Sequence, residues 1–310
     1  VVSETRNVTP WTAAEVALLR SYVQQGLGYD QIVKRFAQDG IQRTYKAVQR
    51  KAQKERVADP ARWHAMVQPA TTPRYDRPIE VEGDALVLAD IHCPFHDAAF
   101  INAAIGLALK RGVRQVVLAG DLADFNAFST FGRDVGIDAD AELDALVALV
   151  DTIAASFERV VYIAGNHDIR PLRAVRYAGL TLERLARMFT PRVDDRQFAV
   201  SDFQWCKLRS GGVLWHIEHP KNASVIPTHV ARRLAAKFEA SVITAHGHTW
   251  GLSRSDSGRH WAVDSGICAD PLRLGYTQLV HNTRPVQMQG AVIVQGGLPL
   301  LVSPQTIGMY

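Results

Sequence analysis

Val160-Val-Tyr-Ile-Ala-Gly165-Asn-His-Asp168 joins five apolar residues to a glycine and then to three side chains that can bind a metal or carry a proton. So short an apolar run, halted by Gly, predicts a strand buried on both faces. The pattern recurs along the chain. Ala85-Leu-Val-Leu-Ala89 leads to Asp90-Ile-His92, Val116-Val-Leu-Ala119 to Gly120-Asp121, Val213-Leu-Trp215 to His216 and His219, and Ser241-Val-Ile-Thr244 to His246-Gly-His248. Helical patterns at about 98–111, 139–157, 171–189 and 225–239 lie between these runs, and strand-like pieces follow at Trp261-Ala-Val263 and Ala291-Val-Ile-Val294. This alternation predicts an α/β layered domain with a mixed sheet. Side chains at the carboxyl ends of neighbouring strands face one crevice, so the five motifs are expected to meet.

Taken singly, each residue has an ordinary structural use. Asp90 could cap a turn, Asn166 could serve the turn after Gly165, and any of the 11 histidines could be a satisfied buried residue. Taken in order, they offer carboxylate oxygen, amide oxygen and imidazole nitrogen, a set that suits Mn, Fe or Zn better than Ca. Two such ions about 3.5–4 Å apart clamp a phosphoryl group and acidify a bridging water. Phosphoester hydrolysis is the natural reaction.

Asp90-x-His92, Gly120-Asp121, Gly165-Asn-His-Asp168, a later His and a paired His-x-His, in this order, resemble the calcineurin-like metallophosphoesterase superfamily over about residues 84–260. The resemblance implies the metallophosphoesterase layered fold, mixed β-sheets flanked by helices, and two divalent metal ions, Mn first, with Fe, Zn or Mg as options. It assigns Asp90, His92, Asp121 and His248 to the first ion, with Asp121 bridging. Asn166, a fourth-strand His and His246 fall to the second. His167 would contact the phosphate and protonate the leaving oxygen, Asp168 would orient its ring, and Asp124 would support the ligands. The family's Gly-His-x-His ending can be read as Gly247-His248-Thr-Trp250 or as Ala245-His246-Gly-His248; the second keeps both imidazoles and is preferred. On the fourth strand, His219 stands at the end before Pro220 and is preferred to His216, which lies mid-strand on the opposite face. Gly120-Asp-Leu-Ala-Asp124-Phe lacks the Asp-Arg-Gly continuation typical of protein Ser/Thr phosphatases, and Asp168 stands where those carry Glu. Residues 125–145 resemble phage and bacterial members.

The net charge of +4 is unevenly distributed: residues 1–60 hold 10 Lys/Arg against 6 Asp/Glu, leaving 25 of each for the rest of the 310. Three helical stretches fill residues 12–56, the first opening with the capping box Thr12-Ala-Ala-Glu15 and the third running from Thr44. Residues 43–56 carry six Lys/Arg against one Glu, and Lys46, Arg50 and Lys54 share a face. Trp11-Thr-Ala-Ala-Glu15 and Arg43-Thr-Tyr-Lys-Ala-Val48 resemble Myb-like or helix-turn-helix domains. Arg43, Lys46, Arg50, Lys51 and Lys54 are therefore expected to contact nucleic acid, DNA first. A solvated face on a protein-interaction module is the plainer alternative. The organisation expected is a trihelical domain over 1–58, a Pro-rich linker over 59–80 and a metallophosphoesterase domain over 81–310.

No apolar run reaches the roughly 18 residues of a membrane helix, and no signal core opens the chain, so a soluble, cytoplasmic protein without a membrane partner is expected. Cys93, Cys206 and Cys268 are too scattered for a disulfide framework or a zinc ribbon. The sequence leaves the oligomeric state open. The combined expectation is a dinuclear phosphodiesterase or nuclease brought to DNA by its first domain. The alternatives are a phosphomonoesterase acting on a small molecule or phosphoprotein, and a DNA-binding regulator with a vestigial metal site.

Overall fold

Thr12 and Glu15 close the capping box their spacing predicts: the Thr12 hydroxyl accepts from the Glu15 amide at 3.2 Å, and Glu15 accepts from the Thr12 amide at 2.7 Å. They start α1 (Ala13–Gln24), followed by α2 (Tyr29–Gln38) and α3 (Tyr45–Lys54). The computed structural model describes residues 9–55, 76–129, 137–176, 179–201, 203–275 and 287–310. Its internal contacts divide the chain into two units, residues 1–74 and 75–310. In the first, Leu19, Tyr22, Val23, Ile32, Phe36, Val48 and Ala52 form the core, one apolar stripe from each helix. Most of the linker expected over 59–80, like Arg56, lies outside the described residues. Its last residue is corrected: Glu80 already pairs with Lys207 in a strand.

The second unit contains β1 (Glu80–Glu82), β2 (Ala85–Leu88), β3 (Gln115–Ala119), β4 (Arg159–Ile163), β5 (Phe198–Val200), β6 (Trp205–Ser210), β7 (Val213–Glu218), β8 (Ser241–Thr244), β9 (Trp250–Arg254), β10 (Trp261–Ser265), β11 (Ala291–Gln295) and β12 (Leu298–Val302). One sheet has the order β12-β11-β2-β3-β4-β5 and the other β1-β6-β7-β8-β10-β9. In the first, β2 to β5 run parallel and β11 antiparallel to β2, a mixed sheet.

Period-two alternation decides which side chains lie between the sheets. Ala85, Val87, Val117, Ala119, Val161 and Ile163 join Trp215, Ile217 and Ile243 in a shared core. Their neighbours Leu86, Leu88, Val116, Leu118, Val160 and Tyr162 face the other way, toward a core with Phe100, Ile101, Leu146 and Val150. Those residues come from α4 (Ala98–Lys110) and α5 (Ala139–Ser156), while α8 (His229–Phe238) packs Ala231 and Ala235 on Val242 and Ala262 of the second sheet. The layers are thus helix, sheet, sheet, helix, and the central strands β2, β3, β4 and β8 are buried on both faces.

Two helical expectations change. The stretch 171–189 is not continuous: α6 (Arg170–Ala174) and α7 (Leu182–Phe189) are separated at Gly179, which has φ +77. The stretch from 225 begins only at His229, because Pro227 and the left-handed Thr228 precede it.

Candidate metal centre

The loops after β2 and β3 continue the ladder beyond the strands, and the loop after β4 is tied to them by the His167 amide, which donates to Asp121 Oδ1 at 2.8 Å. The Asp90 amide donates to Gly120 O at 3.0 Å, His92 to Asp121 O at 2.9 Å, Cys93 to Leu122 O at 2.9 Å, and Asp124 back to Cys93 O at 3.0 Å. This pairing, with the ends of β7 and β8 opposite, brings all seven expected ligands to one place.

Two glycines are required by close approach. A Cβ on Gly120 would stand 2.3 Å from His219 Nδ1, and one on Gly165 2.0 Å from Asp121 Oδ1. Strain is concentrated at the same spot: Asp90, His92, Asp121, His246 and His248 are five of the nine non-glycine residues with positive φ among those described. A left-handed conformation costs roughly 1–2 kcal/mol for each such residue, so the surrounding packing holds these side chains in a conformation they would not choose alone.

Asp90, His92 and His248 form one set of facing donors, and Asp121, His219 and His246 another. His248 Nε2 lies 3.3 Å from Asp90 Oδ1 and 3.3 Å from His92 Nε2. Across the second set, His219 Nε2 lies 3.5 Å from Asp121 Oδ2 and 3.2 Å from Asn166 Oδ1. Asp121 Oδ2 is also 3.9 Å from His92 Nε2, so this one oxygen faces both sets. Donors at about 2.1 Å from a cation and 90–110° apart stand about 3.0–3.4 Å from each other, the spacing found here. Asp90 Oδ1 and Asp121 Oδ2 are buried without a hydrogen-bond donor, the condition that a cation relieves. The residues present fit two divalent cations.

The fourth-strand choice follows from parity. Trp215 and Ile217 point between the sheets, and so does His219, whose Nδ1 faces Ala119 O at 3.2 Å. His216 points outward, stacked between Trp205 (centroids 4.5 Å apart) and Phe238 (4.3 Å). His246 and His248 both face the centre, whereas Trp250 belongs to β9.

One assignment is corrected. Asp168 was expected to orient His167, but its oxygens accept from the amides of Ala123 (3.0 Å) and Gly165 (2.7 Å), tying the β3 and β4 loops together. The carboxylate on the ring is Asp124: its Oδ1 lies 2.8 Å from His167 Nδ1 and 3.1 Å from His92 Nδ1. A carboxylate can only accept, so it assigns the proton to Nδ1 of both rings and turns both Nε2 atoms toward the centre. His167 Nε2 is 3.9 Å from Asp121 Oδ2. Asp97, beside His96, caps α4 by accepting from the Phe100 amide at 3.0 Å.

The electrostatics follow from burial opposed by imidazole charge. Burial would raise Asp90, but His248 and His219 outweigh it and hold the carboxyl below its usual range. Asp121 is likewise held low against burial by His219, His167 and His92, and Asp124 by its bonds from His167 and His92. Asp168 goes the other way: burial and the Asp121 charge push it up to about 6. All three thiols are buried and pushed up to about 12, as expected of inert cysteines.

Two neighbours carry no signal of their own in the sequence. Arg170 reaches His167 and Asp124 from the turn that opens α6. Glu142, on α5, accepts from the Asn126 amide at 3.0 Å, and burial followed by the Asp124 charge pushes it up to about 7 from 4.5. Between those values the folded protein keeps a proton that the unfolded chain has lost, so Glu142 withdraws stability as pH rises from 4.5 through 7. Glu142→Gln keeps an acceptor for Asn126. It is expected to match wild type near pH 4.5 and to exceed it by about 2–3 kcal/mol above pH 8 in urea titrations.

In the first unit Arg43 is a second correction. Its guanidinium donates to Glu15 at 2.9 Å, Thr9 O at 2.6 Å and Pro10 O at 2.8 Å, lies 4.7 Å over the Trp11 ring, and is 8% exposed. It braces the start of α1. Lys51 pairs with Glu55 at 2.8 Å. Lys46, Arg50 and Lys54 are exposed and have no ion-pair partner among the described residues.

No helix of the described residues is long and apolar enough to cross a membrane. No curated protein sequence matches the chain. Solved structures similar to it include the phosphoesterase Yfce from E. coli, at 12% identity and TM-score 0.39, covering 71% of this chain and 98% of that one. Vps29 from Chaetomium thermophilum matches at 11% identity and TM-score 0.39, covering 72% and 94%. Vps29 from Entamoeba histolytica, solved with Zn, matches at 12% identity and TM-score 0.34, covering 71% and 97%. The calcineurin-like phosphoesterase family model matches residues 84–251, the span that contains every ligand described above, and the chain belongs to that family.

Proposed function

We propose that this metal-dependent phosphoesterase is a phosphodiesterase that cuts nucleic acid, DNA first, brought to the polyanion by its three-helix unit. The observation that carries the reading is the face of α3, where Lys46, Arg50 and Lys54 recur every four residues, exposed and without ion-pair partners among the described residues. Three cations on one helix face can neutralise backbone phosphates, and they would give the catalytic unit a raised local concentration of diester.

Two divalent cations, Mn or a similar ion, when bound supply charge neutralisation of the phosphoryl oxygens and an acidified water. Asp90, His92, Asp121 and His248 would hold one, and Asp121, Asn166, His219 and His246 the other. In hydrolysis a water oxygen bonds to phosphorus while the bond to the leaving oxygen breaks. The electron pair stays on the leaving oxygen, which takes up a proton. His167 would serve that exchange: Nε2, facing the centre, takes a proton from solvent and gives it to the leaving oxygen while Asp124 holds Nδ1–H, and the proton of the attacking water passes to solvent, so the ring ends as it began. The buried walls and the pinned loops keep these groups from reorganising as charge develops.

The test compares plasmid, single-stranded DNA, RNA, bis-p-nitrophenyl phosphate and p-nitrophenyl phosphate with Mn present, using wild type and the triple variant K46A/R50A/K54A. The triple variant is expected to bind duplex about 100-fold more weakly at 0.15 M salt and to lose about 3 from the slope of log affinity against log salt. Its turnover of the small diester should equal that of wild type. Cleavage of the monoester alone would replace this reading with the phosphomonoesterase one.

A further inference from the structure

Arg170 has no task in the chemistry described so far, yet its guanidinium sits against the candidate proton carrier. One terminal nitrogen is 3.0 Å from His167 Nε2; the other donates to Asp124 O at 2.7 Å and lies 3.5 Å from Asp124 Oδ2. The placement is built: the Arg170 amide donates to His167 O at 2.9 Å, a one-turn loop that folds the side chain back over the ring, and Pro171 follows at the start of α6. A guanidinium has no acceptor, so at this distance Nε2 receives its hydrogen bond. Nε2 is the same atom that faces Asp121 Oδ2 at 3.9 Å, so Arg170 stands at the rim of the metal centre. Its side chain is 15% exposed and that of His167 9%, so this rim, like the side of the centre formed by the half-buried Asn166 and His246, is open to solvent.

We propose that Arg170 is the group that grips the phosphoryl oxygens of the substrate, a reading that rests on the phosphoesterase function above. Without substrate, the guanidinium donates to His167 Nε2. When the diester enters, a non-bridging oxygen takes over that hydrogen bond, and the freed Nε2 takes up a proton from solvent, which it then gives to the leaving oxygen. One residue thus binds the phosphoryl group and couples its arrival to the freeing of the proton carrier. The planar fork fits two oxygens of a tetrahedral phosphorus, and the nitrogen bonded to Asp124 O remains as its pivot. Gly120-Asp-Leu-Ala-Asp124-Phe contains no Arg, so on the described β2, β3 and β4 loops this is the guanidinium within reach of His167.

The experiment measures binding of inorganic phosphate to the Mn-loaded full chain by calorimetry, for wild type, Arg170→Ala and Arg170→Lys, together with bis-p-nitrophenyl phosphate hydrolysis with and without millimolar guanidinium. Arg170→Ala is expected to bind phosphate 10- to 100-fold more weakly, Arg170→Lys to lie between, and guanidinium to restore part of the hydrolysis only in the Ala variant. Mn stoichiometry should be unchanged in both. Phosphate binding equal to wild type in Arg170→Ala, without guanidinium rescue, would overturn the proposal and leave Arg170 as a brace for the Asp124 loop. Arg170→Lys keeps the charge and decides the matter if the Ala variant does not fold. Failure of the parent reading looks different: the wild type itself would hydrolyse no phosphoester with any divalent metal, whatever the phosphate affinities.

Discussion

Asp121→Asn is expected to reduce phosphoester hydrolysis by about 10³-fold or more, because it removes the one charge that faces both sets of metal donors. Asn is the informative replacement. Asp121 has φ 50, a left-handed conformation that Asn tolerates better than other side chains, so the backbone is spared. Oδ1 accepts from the His167 amide at 2.8 Å, a bond that the Asn carbonyl can repeat. What changes is Oδ2, buried and without a donor, which His219 approaches at 3.5 Å and His92 at 3.9 Å. Replacing that oxygen by an NH2 group turns an acceptor of cations into a donor. Two measurements check the outcome. Bound Mn per chain should fall toward one or none in elemental analysis, and the rise in Tm that Mn gives wild type, which follows ligand binding to the folded state, should shrink. Full Mn occupancy with wild-type turnover would remove Asp121 from the bridging position.

The features legible in the sequence were those whose partners are near in the chain or implied by periodicity. β2, β3, β4 and β8 read as strands because both faces are buried, so their apolar runs are unbroken. β6 did not, since Trp205-Cys-Lys-Leu-Arg-Ser210 alternates burial and its polar members reach solvent; β1 and β5 have only three residues each. His219 could be chosen over His216 because it stands at the strand end before Pro220, on the face opposite His216. Arg43 could not be told from a phosphate-binding arginine, because Glu15 and Trp11, which hold it, are about 30 residues away in sequence. The same holds for Asp168 and Asp124. The family resemblance assigns the first to His167, and only the pairing of the β2 and β3 loops brings the second under the ring.

Asp124→Ala should therefore damage two properties at once, although Asp124 belongs to neither of the two donor sets assigned to the cations and groups instead with His92 and His167. Its Oδ1 accepts hydrogen bonds from Nδ1 of His92 and of His167, whose rings meet edge to face with centroids 4.5 Å apart. Its low pKa has the same origin, burial being overcome by the two imidazole bonds, so the carboxylate is charged throughout the range in which the protein would work. Without it, His92 loses the bond that fixes its tautomer and aims Nε2 at the first set of donors. Removing such a partner typically weakens metal binding by about 10–100-fold. His167 loses the same support, and hydrolysis at saturating Mn should fall by a further factor of about 10² because the proton carrier is no longer held in place. The two losses separate experimentally. A Mn titration reports the first, and turnover extrapolated to saturating Mn reports the second, which a purely structural role of Asp124 in ligand alignment would leave near wild type. Asp124→Asn, whose carbonyl can still accept from one Nδ1, should recover more of the metal affinity than of the turnover. That ordering follows from the chemistry of the two rings: a ligand needs only the correct nitrogen aimed at the cation, whereas a proton carrier also needs a neighbouring charge to stabilise the imidazolium formed in each cycle.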